Sequence, residues 1–166
     1  MTDESGSVDA VVIERSFDAP VHLIWQMWTD PEHFAAWFGP DGAAVAVTMM
    51  DVRVGGTRLL SMRMQTPGGP MQMWFAGEYR EVVENERLVY TEFMSHEIGN
   101  VLAPSDLGMP AGHPKTTEVR VELEAVGGRT RMLLTHAGIA AGSPGAAGWA
   151  MAFAKLGAHV EALSHR

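Results

Sequence analysis

Histidines are the side chains in this sequence that could transfer protons or bind a metal ion near neutral pH. The chain has seven of them: His22, His33, His96, His113, His136, His159 and His165. No two have the His-Glu-x-x-His spacing of a metalloprotease, and no cysteine is present to complete a zinc site. The sequence therefore predicts neither a metal site nor a bound cofactor.

Two of the histidines lie where they could act together. His136 ends a predicted strand, and His159 lies near one edge of the apolar side of a predicted helix. If both faced the interior they could poise a proton transfer; the alternative is that each is a surface or hydrogen-bonded histidine. The sequence also lacks the Gly-x-Ser-x-Gly motif of serine hydrolases, so we assign no catalytic residue.

Methionine is the compositional peculiarity of the chain, with 12 residues. Leu60, Met62 and Met64 share one face of a predicted strand, and Met71 and Met73 share a face of the next. Flexible, polarisable thioethers suit a wall that accepts apolar molecules of varied shape. The alternative is a packed core in which methionine fills gaps. Both faces of the second strand are apolar, so periodicity alone does not show which one lies inside.

The elements that must position these residues include a helix near the C-terminus. Trp149, Phe153, Leu156, Val160 and Leu163 recur at alternating steps of four and three residues, which places them in one apolar stripe. A helix with so large an aromatic face needs an apolar surface to lie on. Because almost everything before it is predicted to be strand, we expect a sheet curled around this helix.

The rest of the chain divides into one strand, two short helices and six further strands. β-branched residues from Val8 to Phe17 predict the first strand, and Ala19-Pro20 and Asp30-Pro31 each begin a short helix. The period then becomes two, which predicts strands at 43–52, 57–65, 71–83, 88–94, 116–126 and 129–136. Short turns join most of these strands, so consecutive strands should pair antiparallel. Residues 137–147 are predicted to be a linker.

Composition limits the function classes. A formal charge of −8 and a pI near 5.3 argue against binding to a phosphate backbone. No apolar run approaches the ~18 residues of a membrane span. The acidic, polar N-terminus is unlike a secretory signal peptide, so we expect a cytoplasmic protein. The length predicts a single domain over residues 8–166, preceded by a disordered tail at 1–7.

Several short motifs occur in the same order as these elements. They are Phe17-Asp18-Ala19-Pro20, Thr29-Asp30-Pro31-Glu32, Trp37-Phe38-Gly39-Pro40, Gly55-Gly56, Gly77-Glu78-Tyr79-Arg80-Glu81-Val82, Glu86-Arg87-Leu88-Val89-Tyr90-Thr91, Gly127-Gly128-Arg129-Thr130 and Gly148-Trp149. As an ordered set they resemble the SRPBCC superfamily of START and birch-pollen-allergen-like proteins. Within it, the chain is similar to the branch named after the activator of the heat-shock protein 90 ATPase.

This resemblance implies an α+β helix-grip fold. A curved antiparallel sheet of about six or seven strands would surround the long C-terminal helix, with two short helices after the first strand and a cavity between sheet and helix. Relatives use that cavity for lipids, sterols, polyketides or other apolar molecules. The relative that gives the branch its name contacts a chaperone through its surface.

The resemblance and the methionine pattern together predict a non-catalytic protein that holds a small apolar ligand, lipid-like or aromatic. The residues expected to line its cavity are Trp37, Phe38, Leu60, Met62, Met64, Met73, Phe75, Trp149, Phe153 and Leu156. Trp37 and Phe38 are interpreted as a mobile gate or, alternatively, as a plug that seals the sheet. Fold membership alone does not establish function.

The loop from Ser95 to Pro114 contains more apolar residues than a solvated connection needs. Ile98, Leu102, Leu107 and Met109 are predicted to form a lid over the cavity mouth, or to dock against a second subunit and so make a homodimer. The alternative is a surface loop.

Two other functions remain open. One is a chaperone-linked or other protein-interaction module, with a role in the stress response and a packed core. The other is a cyclase-like or hydrolase-like enzyme that would need an ionisable residue with a shifted pKa inside the cavity.

Overall fold

A seven-stranded antiparallel sheet forms the frame on which the helices lie. In the computed structural model, the described residues are 10–40, 42–95, 116–138 and 144–164. The strands are β1 (Ala10–Phe17), β2 (Ala44–Met50), β3 (Thr57–Thr66), β4 (Gly69–Val83), β5 (Arg87–Ser95), β6 (Thr117–Val126) and β7 (Arg129–Ala137). The helices are α1 (Val21–Thr29), α2 (Pro31–Trp37) and α3 (Pro144–Ser164). The predicted tail at 1–7 lies outside the described residues.

The strands are ordered β1-β7-β6-β5-β4-β3-β2 across the sheet. From β2 to β7 each strand pairs with its neighbour in sequence, whereas β1 pairs with β7, from Ala10 opposite Ala137 to Phe17 opposite Thr130. The helices α1 and α2 therefore connect strands at opposite edges of the sheet. This arrangement confirms the predicted α+β helix-grip fold.

A helix cap and a hairpin turn that the sequence predicts are both present. The Asp30 side chain accepts hydrogen bonds from the backbone N–H groups of Glu32 and His33, which caps α2 as the Asp-Pro pair predicts. Gly127 and Gly128 both have positive φ, 57° and 84°, as a two-residue hairpin turn of the primed type requires.

The apolar stripe of α3 lies inside, as predicted. Trp149, Phe153, Leu156 and Val160 are buried, whereas Glu161 is exposed. The helix begins at Pro144, so the prediction that a linker continues to Ala147 is wrong at its end. Proline is favoured in the first turn of a helix and alanine has the highest helix propensity, so this Gly/Ala/Pro segment extends the helix.

Gly77 allows β4 and β5 to approach each other closely. A Cβ atom at this position would collide with the carbonyl oxygen of Thr91 on β5. A register shift between Tyr79 and Glu81 follows immediately along β4. Because the carbonyl oxygen of Thr91 belongs to the backbone, it cannot rotate away from an added Cβ as a flexible side chain could.

We expect Gly77→Ala to lower the free energy of unfolding by about 1–3 kcal/mol, because the added methyl group overpacks the strand pair. Gly148→Ala is the matched control, since a Cβ there meets nothing within 4 Å and lies in a helix. It should raise stability by about 0.5–1 kcal/mol. Urea unfolding of both variants measures the difference; equal midpoints would contradict the close approach.

Candidate functional site

A row of buried polar side chains crosses the core-facing side of the sheet. It consists of Arg58 on β3, Glu92 on β5, Thr117 on β6 and His136 on β7, which are 1%, 8%, 8% and 5% exposed. The intervening strand contributes Gly77, which pairs with Arg58 and places no side chain between Arg58 and β5. Four strands therefore bring polar groups to one line in a largely apolar interior.

Hydrogen bonds connect His136 to α3 on one side and to β6 on the other. The Trp149 indole Nε1–H donates to His136 Nδ1 at 2.9 Å, and His136 Nε2 lies 2.7 Å from Thr117 Oγ1. The Thr117 hydroxyl in turn donates to the Glu92 carbonyl oxygen at 3.2 Å. Only neutral histidine with its proton on Nε2 satisfies all three contacts. Burial lowers the pKa of His136, although the charge of Glu92 opposes that change.

Arg58 lies among aromatic rings beside one carboxylate. Its Nη1 is 3.5 Å from Glu92 Oε2, and its Cζ is 3.8 Å from the centroid of the Tyr90 ring. Phe34 and Tyr79 lie on other sides, at 5.3 Å and 5.9 Å from Cζ. Burial alone would lower the pKa of Arg58, but the two tyrosines and Glu92 raise it above its ordinary value. The guanidinium therefore stays charged.

Both tyrosines beside Arg58 stay protonated. Burial raises the pKa of Tyr79 and of Tyr90, and the positive charge of Arg58 only partly opposes the rise. Three buried polar atoms here have no hydrogen-bond partner among the described residues: Arg58 Nε, Tyr79 Oη and Tyr90 Oη. The Tyr79 hydroxyl is close enough to Arg58 for a polar interaction that lowers the pKa of the tyrosine, but the two groups lack hydrogen-bond geometry.

The residues predicted to line a cavity lie in the apolar core or pack against it. Phe38 contacts the rings of Trp37, Phe75 and Trp149, with centroids 6.1, 6.2 and 5.7 Å apart. Phe153 joins the same cluster through Trp149, at 5.4 Å. Leu60, Met62 and Leu156 are buried, whereas Met64 and Met73 are partly buried against the core.

The structure bears on two points that the sequence left open. Met73 and Phe75 pair with Met62 and Leu60, so this face of β4, and not the face of Trp74, belongs to the core. The Trp37 indole donates to the Met27 carbonyl oxygen at 2.9 Å and is fully buried, which favours the plug over the gate.

Other predicted residues lie elsewhere. His159 pairs with His33 of α2, with ring nitrogens 3.1 Å apart, and lies ten residues beyond Trp149, about 15 Å along the helix. His136 and His159 therefore have different partners, and the contacts agree with the alternative in which each is a hydrogen-bonded histidine. The lid residues Ile98, Leu102, Leu107 and Met109 lie outside the described residues. Within the described ranges, no three His, Asp or Glu side chains meet as metal ligands.

Sequence reasoning missed Arg58, Glu92 and Thr117 as parts of an interior site. The signal that could have found Arg58 is strand parity, because it lies two residues before Leu60, which was predicted to face inward. Thr117 has the parity of the buried Val119 and Val121 in the same way. Charge argued against burying Arg58 and Glu92, and only the sheet register reveals that they meet.

Comparisons with known proteins agree with this architecture. The profile of the family described as activator of Hsp90 ATPase homolog 1-like protein matches residues 18–161. No curated protein matches the chain. No helix in the described part of the chain is long and apolar enough to cross a membrane.

Solved structures with the same fold come from several bacteria. A crystal structure of a Chromobacterium violaceum protein has a TM-score of 0.74 and 24% identity, over 92% of this chain and 97% of that chain. A solution structure from Arthrobacter aurescens has a TM-score of 0.74 and 21% identity, over 96% and 90%. The AHSA1 protein of Silicibacter pomeroyi has a TM-score of 0.68 and 20% identity, over 94% and 99%. At these identities, the likeness is one of fold.

The pKa of His136 predicts a pH-dependent stability. Its folded value lies below the ordinary 6.5, so the unfolded chain takes up the proton first as the pH falls. The contribution of neutral His136 is complete above about pH 6.5 and is lost as the pH falls towards the folded pKa. Urea unfolding at about pH 7.5 and pH 5.5 should therefore show a larger loss of stability in the wild type than in His136→Gln.

His22→Gln serves as the control, because His22 is exposed on α1. This variant should keep the full pH dependence of the wild type. The same pH slope in His136→Gln as in the wild type would show that the histidine does not titrate between the two states.

Removing one partner of the buried Arg58–Glu92 ion pair should cost more stability than replacing both partners. Glu92→Gln leaves the Arg58 charge buried without a counter-ion, at a cost of about 3–5 kcal/mol. The double variant Arg58→Met/Glu92→Gln should lose less stability than the sum of the losses in the two single variants. A double-mutant cycle measured by urea unfolding gives this difference. In the exposed pair of Arg131 with Glu124, Glu124→Gln should cost less than about 1 kcal/mol. Strict additivity in the Arg58–Glu92 cycle would refute the coupling.

Proposed function

The chain belongs to the family of activator of Hsp90 ATPase homolog 1-like proteins, and on that basis we propose that it binds a small, largely apolar molecule between the sheet and α3. The fold is that of ligand-binding or chaperone-associated modules. The observation that carries the choice between them is the set of buried, unpartnered polar atoms at Arg58, Tyr79 and Tyr90.

Stability alone does not account for such a cluster. A buried donor without a partner costs about 1–3 kcal/mol, and a buried ion pair often stabilises a protein no better than apolar residues of the same volume. A cluster that costs stability in the interior is typical of a functional site. A ligand that reached Arg58 and Tyr90 would satisfy these groups.

Other core-facing side chains of β3 and β4 suit an apolar ligand. Met62 and Met73 face each other across β3 and β4 on the core side, next to Phe75 and Phe38. Met62 also packs against Gly39, where an added Cβ would lie 2.7 Å from its sulfur. Thioether side chains can repack around guests of different shape more easily than branched ones.

The exposed apolar side chains do not single out one protein-docking face. Val12 lies on edge strand β1 and Met49 on the opposite edge strand β2, at 62% and 50% exposure, with five strands between them. A chaperone partner therefore remains the second candidate, without a described surface that favours it. A homodimer and a cytoplasmic location belong to the same proposal.

Native mass spectrometry of freshly purified protein is the direct test. We expect an additional bound mass of a few hundred daltons, the usual size of a ligand for such a site. The same spectrum gives the number of subunits and so tests the homodimer. Repeated preparations without bound mass, together with no thermal shift against lipid and aromatic libraries, would refute the binding function.

A pair of matched variants locates the ligand. Met73→Trp adds bulk on the core-facing side of β4 and should abolish the bound mass or the thermal shift. Met71→Trp is its control, since Met71 lies on the same strand at 46% exposure, and it should leave binding unchanged. Circular dichroism verifies that both variants are folded. If Met73→Trp still binds the ligand, the binding site does not lie on this side of β4.

A further inference from the structure

We propose that His33 of α2 and His159 of α3 together bind one divalent transition-metal ion of the zinc, nickel and copper class, and that this ion replaces the hydrogen-bonded proton between the two rings. The inference does not depend on the proposed function. It starts from a contact between side chains that are 126 residues apart in the chain, so no spacing of histidines along the sequence could indicate it.

The distance between the two ring nitrogens suits two ligands of one ion. His33 Nδ1 lies 3.1 Å from His159 Nε2. Metal–nitrogen bonds of about 2.0–2.1 Å place two neighbouring ligand nitrogens about 2.9 Å apart at a right angle and about 3.3 Å apart at the tetrahedral angle. The observed distance lies between these two values, so the nitrogens are already spaced as neighbouring ligands.

The positions of the two rings agree with the same geometry. Their centroids are 5.3 Å apart, and their planes are inclined at 58°. In a tetrahedral site the centroids of two ligating imidazole rings lie about 5.2 Å apart. The rings therefore need to turn until both lone pairs point at one ion, but they do not need to move apart. The χ2 torsion of histidine has a broad energy minimum, and both side chains are only half-buried, so the rings can turn.

Solvent reaches the pair of histidines, because both side chains are only half-buried. Within the described ranges, no third His, Asp or Glu side chain joins the two as a metal ligand. Water would therefore complete the coordination, as it does in zinc sites that keep an open position. Lys155, one turn earlier on α3, bonds through Nζ to the carbonyl oxygens of Phe38 and Pro40 at the other end of α2.

The imidazole ligands determine the class of the ion. Imidazole suits zinc, nickel and copper, whereas magnesium and calcium prefer oxygen ligands. The formal charge of −8 favours any cation and does not distinguish between these two classes. An ion bound to both histidines would join α2, which carries the buried Phe34 and Trp37, to α3. Metal binding would thus hold the two helices together.

Isothermal titration calorimetry of the untagged, full-length protein with Zn²⁺ tests the site. We expect the tightest binding to correspond to one ion per chain. His159→Gln should weaken it by about tenfold or more, because the second ligand of a pair binds intramolecularly. Glutamine can still form a hydrogen bond with His33, but it does not bind zinc as imidazole does. Equal affinity in the wild type and in His159→Gln would overturn the inference.

Two control variants keep both histidines of the pair. His22→Gln removes an exposed histidine on α1 and so measures what a single imidazole elsewhere contributes. Lys155→Met removes a different polar contact between α3 and the end of α2. Both variants should bind Zn²⁺ with the affinity of the wild type. If Lys155→Met loses the tight binding as His159→Gln does, the substitutions act by loosening the helices, and the assignment of the two ligands is wrong.

Electron paramagnetic resonance with less than one equivalent of Cu²⁺ gives an independent readout, because it reports the nitrogen atoms bound to the copper ion. The wild-type spectrum should show coupling to two imidazole nitrogens, and the spectra of His33→Gln and His159→Gln should lose one of them. The same spectrum in all three proteins would show that the ion binds elsewhere on the chain, and would overturn the inference.

Thermal unfolding measures the link between the two helices and verifies that each variant folds. Zn²⁺ should raise the unfolding midpoint of the wild type and of Lys155→Met, because an ion that binds only the folded state stabilises it. The same concentration of Mg²⁺ should leave both midpoints unchanged. An equal rise with Zn²⁺ in the double variant His33→Gln/His159→Gln would show that the stabilising ion binds elsewhere, and the proposed site would be wrong.

Discussion

The indole of Trp149 is the contact on which the rest of the interior depends. Its ring packs against Trp28 and Phe38, with centroids 5.9 and 5.7 Å apart, and so joins α3 to the aromatic side chains of the short helices. Its N–H donates to His136 and so joins the same helix to the polar row of the sheet. One side chain thereby sets both the position of α3 and the tautomer of the histidine.

The interior combines two kinds of surface with opposite energetic effects. The aromatic cluster around Phe38 and Phe153 stabilises the fold through burial of apolar area and favourable ring geometry. The row from Arg58 to His136 contributes little net stability, because desolvation offsets most of what its hydrogen bonds and ion pair supply. The two surfaces therefore differ in what they contribute to stability, which is why the proposed function rests on the polar row. The proposed ligand would touch both.

Much of the fold was predictable because its signals are local. The step of the apolar residues along α3 predicts which face is buried, and that face is buried around Trp149 and Leu156. The Asp30 cap and the Gly127-Gly128 turn are short-range chemistry and were predictable for the same reason. The beginning of α3 was predicted wrongly, since a segment rich in glycine, alanine and proline is compatible with either a linker or a first helical turn.

Sequence by itself determined the order and type of the elements, the family, and the face of the last helix that is buried. It could not determine that Arg58 and Glu92 meet, because they are 34 residues apart in the chain and only the pairing of β3, β4 and β5 brings them together. Nor could it choose the core-facing side of β4, whose two faces are both apolar. Tertiary structure decided these points because a period-two pattern specifies that a strand has two faces, whereas register and packing decide what each face meets.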